Sequence, residues 1–272
     1  MGEESGMIEW WCTALARPWT WEWIPYPGIW AASILPLVLY GRSLRRHEGV
    51  ADRRKAAQFT GGVVAFWIAS DWPLGTLGAG YLASAHMTQF LLYTLVAAPL
   101  MLLGTPEWMG RRLTRRLRLE RPALWLGRNV VATAVIYNVI LISTHAPGTV
   151  ALLRNSQFGS FAMDVVWLLA GFLLWLPVIS PLPEGRASSP WVKMAYLFVA
   201  TSVVAVIPAS FLTFTEVPIY GIYELAPRVI SLTAVEDQQL AGIIMKIATI
   251  PIVWSTIAVL WFRWSAGEAR IA

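Results

Sequence analysis

Cysteine is all but missing from this chain of 272 residues. Cys12 stands alone, which excludes an internal disulfide framework and a thiolate metal cage built by this chain alone. Charge is scarce too: 14% of residues are charged and 57% are hydrophobic, too little charge to cover a soluble domain of this length. The sequence has no Gly-rich phosphate loop, no His-Glu-x-x-His and no histidine pair at haem-binding spacing on one helix. Its serines stand in no convincing His/Asp constellation. With those classes removed, the chain reads as a non-enzyme. Inverted halves with broken helices, a mark of many transporters, are not apparent. The opening Met1-Gly-Glu-Glu-Ser5 is acidic and lacks a small-residue cleavage site, so no cleavable signal peptide is expected.

What the sequence does have is long apolar runs, a mean hydropathy of +0.56 and 16 tryptophans. A bilayer core about 30 Å thick takes roughly 20 apolar residues per helix. The runs that qualify are Ile24–Gly41, Ala56–Leu74, Leu82–Gly104, Asn129–Thr144, Phe161–Ile179, Trp191–Phe214 and Leu240–Trp264. The expected fold is an all-α membrane helix bundle of about seven transmembrane helices over residues 24–264. A Trp-rich external segment (1–23) precedes it and a short cytoplasmic tail (265–272) follows.

The pI of about 9.6 would ordinarily suggest an acidic partner such as nucleic acid. The basic residues fall instead in short loops between apolar runs, where they orient the chain in the bilayer, so no nucleic acid is expected. Arg42, Arg45, Arg46, Arg53, Arg54 and Lys55 follow the first run. Arg111, Arg112, Arg115, Arg116, Arg118, Arg121 and Arg128 follow the third, Arg186 and Lys193 the fifth, and Arg263 and Arg270 lie at the C-terminal end. The opposite side has only Arg17, Arg154 and Arg228. This asymmetry predicts an external N-terminus and a cytoplasmic C-terminus.

Trp10, Trp11, Trp19, Trp21, Trp23 and Trp30 crowd the entry to the first helix. Tryptophan suits the headgroup level, so these rings are expected to anchor the chain in the outer interface; a partner-docking surface is the sharper alternative. Polar residues inside a membrane are costly and mark functional candidates. Asp71, His86, Met87, Gln89, His145, Met163, Asp164, Asp237, Gln238 and Gln239 all fall at the outer ends of the expected helices. Imidazole with thioether suits copper, thioether favouring the cuprous state, and a carboxylate or water can complete the shell. His86 and Gln89 share a helical face and Met87 does not, so a site would form between helices, with His86 and His145 as nitrogen ligands. Met163, Asp164 and Asp237 are the further candidates.

Each has a plainer reading. His86 could hydrogen-bond a neighbouring helix. Glu236 and Asp237 follow Thr233 in a capping-box pattern and favour the helix dipole. Asp71 precedes Trp72-Pro73, a natural helix exit. Lys246, two turns into the last helix, must snorkel outward or find a carboxylate, Asp164 or Asp71.

Ser84-Ala-His-Met-Thr-Gln89 followed by Val96-Ala-Ala-Pro-Leu-Met-Leu-Leu-Gly-Thr-Pro-Glu-Trp108 resembles the third helix of the CtaG-type cytochrome c oxidase assembly proteins. Leu174–Pro183, Ser189–Phe198 and Glu236–Met245 resemble their fifth-helix exit and the starts of their sixth and seventh helices. The resemblance spans Ile24 to Trp264. It implies a seven-span protein of the bacterial plasma membrane that helps mature a haem–copper terminal oxidase, with copper handled at the outer face. Subunits of that oxidase would be its partners, beside the lipid bilayer. The carried-over residues are His86, His145 and Asp237 with its following glutamines. In two places the chain departs from the family pattern. Ser160-Phe-Ala-Met-Asp164 holds no histidine where one is expected, and Lys246 replaces an aromatic or apolar residue. Both weaken metal binding, and they leave open a structural accessory subunit of a respiratory or other membrane complex that has kept the scaffold without its ligands.

Overall fold

The computed structural model describes residues 9–14, 17–47 and 52–268. The acidic opening Met1–Ser5 and Arg270 lie outside them. Among the described residues every regular element is helical. The helices are α1 (Pro27–Arg45), α2 (Arg53–Ser70), α3 (Leu74–Gly80), α4 (Ala83–Gly104), α5 (Glu107–Arg116) and α6 (Glu120–Arg128). Next come α7 (Val130–Thr144), α8 (Pro147–Arg154), α9 (Gln157–Ile179), α10 (Pro190–Phe214), α11 (Gly221–Glu224) and α12 (Ala234–Gly267).

Four of these, α4, α9, α10 and α12, are long and apolar enough to cross a membrane. The joint α6–α7, bent by 101°, makes a fifth if it counts as one broken span. The expected second run carries Arg53, Arg54 and Lys55 into its helix, and the fourth run forms only the 15 residues of α7. The last run begins earlier than its apolar stretch. Thr233 caps it, its hydroxyl accepting from Glu236 N while the Glu236 carboxylate accepts from Thr233 N, the capping box the sequence predicts.

Helices α4 and α9 form the centre of the bundle. In α4, 61% of the apolar window is buried by the rest of the chain, against 17% in α12, so α12 is peripheral. Both α4 and α10 contain a widened π-helical stretch, Leu92–Ala97 and Val199–Val203, ahead of Pro99 and Pro208. Proline has no N–H and its ring collides with the carbonyl four residues back; a wider turn relieves that collision and releases carbonyls for other partners. Trp175 Nε1 takes the Thr94 carbonyl at 2.9 Å and Asn138 Nδ2 the Ala200 carbonyl at 3.3 Å. These two bonds tie α9 to α4 and α7 to α10.

Candidate functional site

The ends of α2, α4, α7, α8, α9 and α12 that carry the polar candidates meet at one end of the bundle, opposite the basic loops. Leu82 leads into α4 and Leu141 precedes its exit from α7, so His86 sits in the first turns of one helix and His145 caps the end of the other. Their rings face each other edge-on with centroids 5.7 Å apart, around Trp167 of α9. His86 Nδ1 lies 3.3 Å from the Gly78 carbonyl and His145 Nδ1 lies 2.8 Å from the Leu141 carbonyl. A carbonyl only accepts, so each imidazole donates through Nδ1–H, and in the neutral ring that leaves the lone pair on Nε2. Both Nε2 atoms are buried and have no hydrogen-bond partner among the described residues.

The neighbours fix this geometry. Tyr223 Oη donates to the same Gly78 carbonyl at 2.8 Å, and Tyr220 Oη to the His145 carbonyl at 2.7 Å. Trp167 Nε1 donates to Thr144 Oγ1 at 3.0 Å and stacks on the His145 ring, 18° from parallel. Gly78 has no room for a side chain, because a Cβ there would collide with the buried Gln89 amide. Gln89 in turn donates to the Ala69 carbonyl at 2.8 Å, so it ties α4 to α2.

Beside the histidines lies an ion pair that the sequence reading did not anticipate. Arg154 Nη2 is 3.0 Å from Asp164 Oδ1, with side chains 0% and 1% exposed, and the guanidinium stands over Trp167 at 5.1 Å. The contact is close but off the hydrogen-bond angle, so Nε and both Nη atoms stay without a hydrogen-bond partner, as does Ser160 Oγ. Trp11 Nε1 donates to the other Asp164 oxygen at 2.9 Å. Arg154 passed for an ordinary loop charge because burial cannot be read from a sequence. Its signal was its position: one of three cations on a side almost empty of them, shortly before Asp164.

Two expectations are therefore corrected. Asp164 pairs with Arg154 and not with Lys246, which is exposed on the outer face of α12 with no ion-pair partner among the described residues. Asp71 is also taken, accepting from Trp30 Nε1 at 3.0 Å and from Trp72 N at 2.9 Å. The interfacial reading of the tryptophans also divides. Trp11 is 1% exposed inside the core and Trp10 and Trp19 are half-buried, whereas Trp21 and Trp23 are 69% and 58% exposed, as an interface would require.

The remaining candidates have partners within the chain. Asp237 reaches across to cap α4, accepting from Ala83 N at 2.6 Å and from the Ser84 hydroxyl. Gln238 accepts from Ile219 N at 2.7 Å, and Gln239 donates to the Thr215 carbonyl at 3.4 Å. Met163 and Met245 are buried in the core. Among the described residues no three His, Cys, Asp or Glu side chains gather as a metal shell.

A metal ion therefore has the two Nε2 atoms as its ready donors. An ion held by both would lie about 2 Å from each Nε2, between rings whose centroids are 5.7 Å apart. Two neutral imidazoles suit a cuprous ion of low coordination number, and the Arg154 charge that would oppose it is balanced by Asp164.

No match was found among curated proteins or among solved structures. A family model, Cytochrome c oxidase caa3 assembly factor (Caa3_CtaG), matches residues 37–266, from within α1 to the end of α12 and across His86, His145, Arg154 and Asp164. The chain belongs to the cytochrome c oxidase caa3 assembly factor family.

Proposed function

We propose that the chain acts in oxidase assembly by carrying copper in passing at the outer face of a bacterial plasma membrane, with His86 and His145 holding the ion. Copper is cargo in this reading, and the chain is a carrier and not an enzyme. The observation that supports it is the pair of buried Nε2 lone pairs, each aimed by an Nδ1–H bond to a backbone carbonyl and otherwise unused. Burying two such acceptors unsatisfied is costly, about 1–3 kcal/mol each, unless something occupies them in the working protein. With two protein ligands only, binding is weak and exchangeable, as a carrier needs. Replacing both histidines with Ala should abolish the weak cuprous binding seen when the purified protein is titrated with Cu(I), and lower oxidase activity several-fold in a strain lacking the native chain. A fully active oxidase in that strain would defeat the copper reading. It would favour the alternative, a structural accessory subunit that holds the oxidase, to which the commitment of Asp71, Asp164 and Asp237 to protein partners also points.

We further infer seven spans, α1, α2, α4, α7, α9, α10 and α12, with the N-terminus outside. Support comes from the arginines of α5 and α6 and of the facing ends of α1 and α2, which lie at the opposite helix ends from the histidines. Reporter fusions after Arg54 and after Arg116 should read as cytoplasmic and one near Arg154 as external. An external reading at Arg116 would reverse the orientation and move the histidines to the cytoplasmic face.

A further inference from the structure

Helix α6 turns away from α7 by 101°, so where α7 runs across the bilayer α6 lies near its plane. Gly127 holds it there: a Cβ at that position would collide with the Gly185 carbonyl. A hollow of about 610 Å³ opens at this elbow, lined by Arg121, Trp125, Arg128 and Val130 among others. A second, of about 570 Å³, runs between α7 and α10 past Val130, Ala134, Val139, Tyr196 and Val199. Val130 lines both, so a basic hollow adjoins an apolar groove.

The arginines of the hollow have no ion-pair contact of their own among the described residues. Arg121 and Arg128 are seven residues apart and share a face of α6. Neither makes an ion pair among the described residues, and only Arg128 Nε is engaged, with the Glu184 carbonyl at 2.7 Å. The two nearby carboxylates are taken, Glu120 by Arg115 at 3.0 Å and Glu184 by Arg111 at 2.5 Å. The Arg111 guanidinium, hydrogen-bonded to Glu184, holds that carboxyl below its usual range. Trp125 is exposed beside them, as a ring at headgroup level would be.

We propose that the α6–α7 elbow binds an anionic phospholipid, its phosphate between Arg121 and Arg128 and one acyl chain along the groove between α7 and α10. A partner helix would fill the groove but would leave the two guanidiniums unanswered, whereas a phospholipid matches both halves. Basic pockets at the ends of membrane helices suit such headgroups, each cation adding to the hold.

The test is native mass spectrometry of the full chain in detergent micelles, with phosphatidylglycerol and phosphatidylcholine of the same acyl chains added in turn. Phosphatidylglycerol should stay bound where phosphatidylcholine is lost, and inorganic phosphate should not displace it. Arg121→Gln with Arg128→Gln should weaken phosphatidylglycerol about 30-fold, the combined effect of two surface cations. Ala134→Trp should remove it by filling the groove with both arginines intact. The equally exposed pair Arg112→Gln and Arg116→Gln should leave it unchanged. Equal retention of the two lipids would overturn the proposal. So would displacement by phosphate, retention in the Arg121/Arg128 variant, or equal loss in the Arg112/Arg116 control.

Discussion

Replacing Arg154 with Met should destabilise the folded protein by about 3–5 kcal/mol, because it strands a buried carboxylate. Asp164 is 1% exposed, and its nearest cation is the guanidinium at 3.0 Å. Removing that cation leaves Asp164 with the Trp11 Nε1 hydrogen bond and no ion-pair partner among the described residues. The cost should be largely recovered in the double variant Arg154→Met with Asp164→Asn, since the amide oxygen still accepts from Trp11 and no charge is left to desolvate. Thermal unfolding of the purified variants in detergent measures both. If Arg154→Met unfolds at the wild-type midpoint, water reaches Asp164 and the pair is not the sealed element described above. The double variant also separates stability from function, because it restores the fold while removing the charges beside His86 and His145.

The sequence foretold this end of the molecule better than its wiring. That His86, His145, Asp164 and Asp237 would share one level followed from helix direction alone: one apolar run ends where three others begin. Composition and the long apolar runs likewise foretold an all-helical membrane bundle. The partners of each polar group were a different matter. Asp237 reads as a first-turn acid on its own helix, and it also caps α4, which arrives from far away in the chain. Lys246 and Asp164 looked like natural partners because both are lone charges in apolar runs. Sequence spacing fixes the face of one helix but not the rotation of one helix about another, and that rotation gave Asp164 to Arg154. The turns before Pro99 and Pro208 were equally hidden: the prolines were visible, but not that a widened turn ahead of each would free the Thr94 and Ala200 carbonyls.

Trp11 marks the other limit of the sequence reading, and its removal should have an effect of similar size. Six tryptophans in one short segment look alike to a composition argument, yet the structure separates them by burial. Trp11 packs edge-on to Trp10 and Phe161, with ring centroids 5.8 and 5.0 Å away, and donates to Asp164. The strand of chain around it is fastened down, with Trp10 N bonded to Gln157 Oε1 at 2.8 Å and Ala14 N to the Arg154 carbonyl at 2.9 Å. This segment lies before the residues that the family model matches, and through Trp11 it covers the Arg154–Asp164 pair. Trp11→Ala should therefore cost about 3–5 kcal/mol, as truncation of a buried large aromatic does. Trp21→Ala and Trp23→Ala should change stability by no more than about 0.5 kcal/mol. Trp11→Phe keeps most of the packing and loses only the donor to a charged acceptor, so it should fall between, at about 1.5–3 kcal/mol. Thermal midpoints in detergent rank the four variants. If Trp21 and Trp23 prove costly and Trp11 neutral, the segment is an interfacial anchor and not a seal over the ion pair.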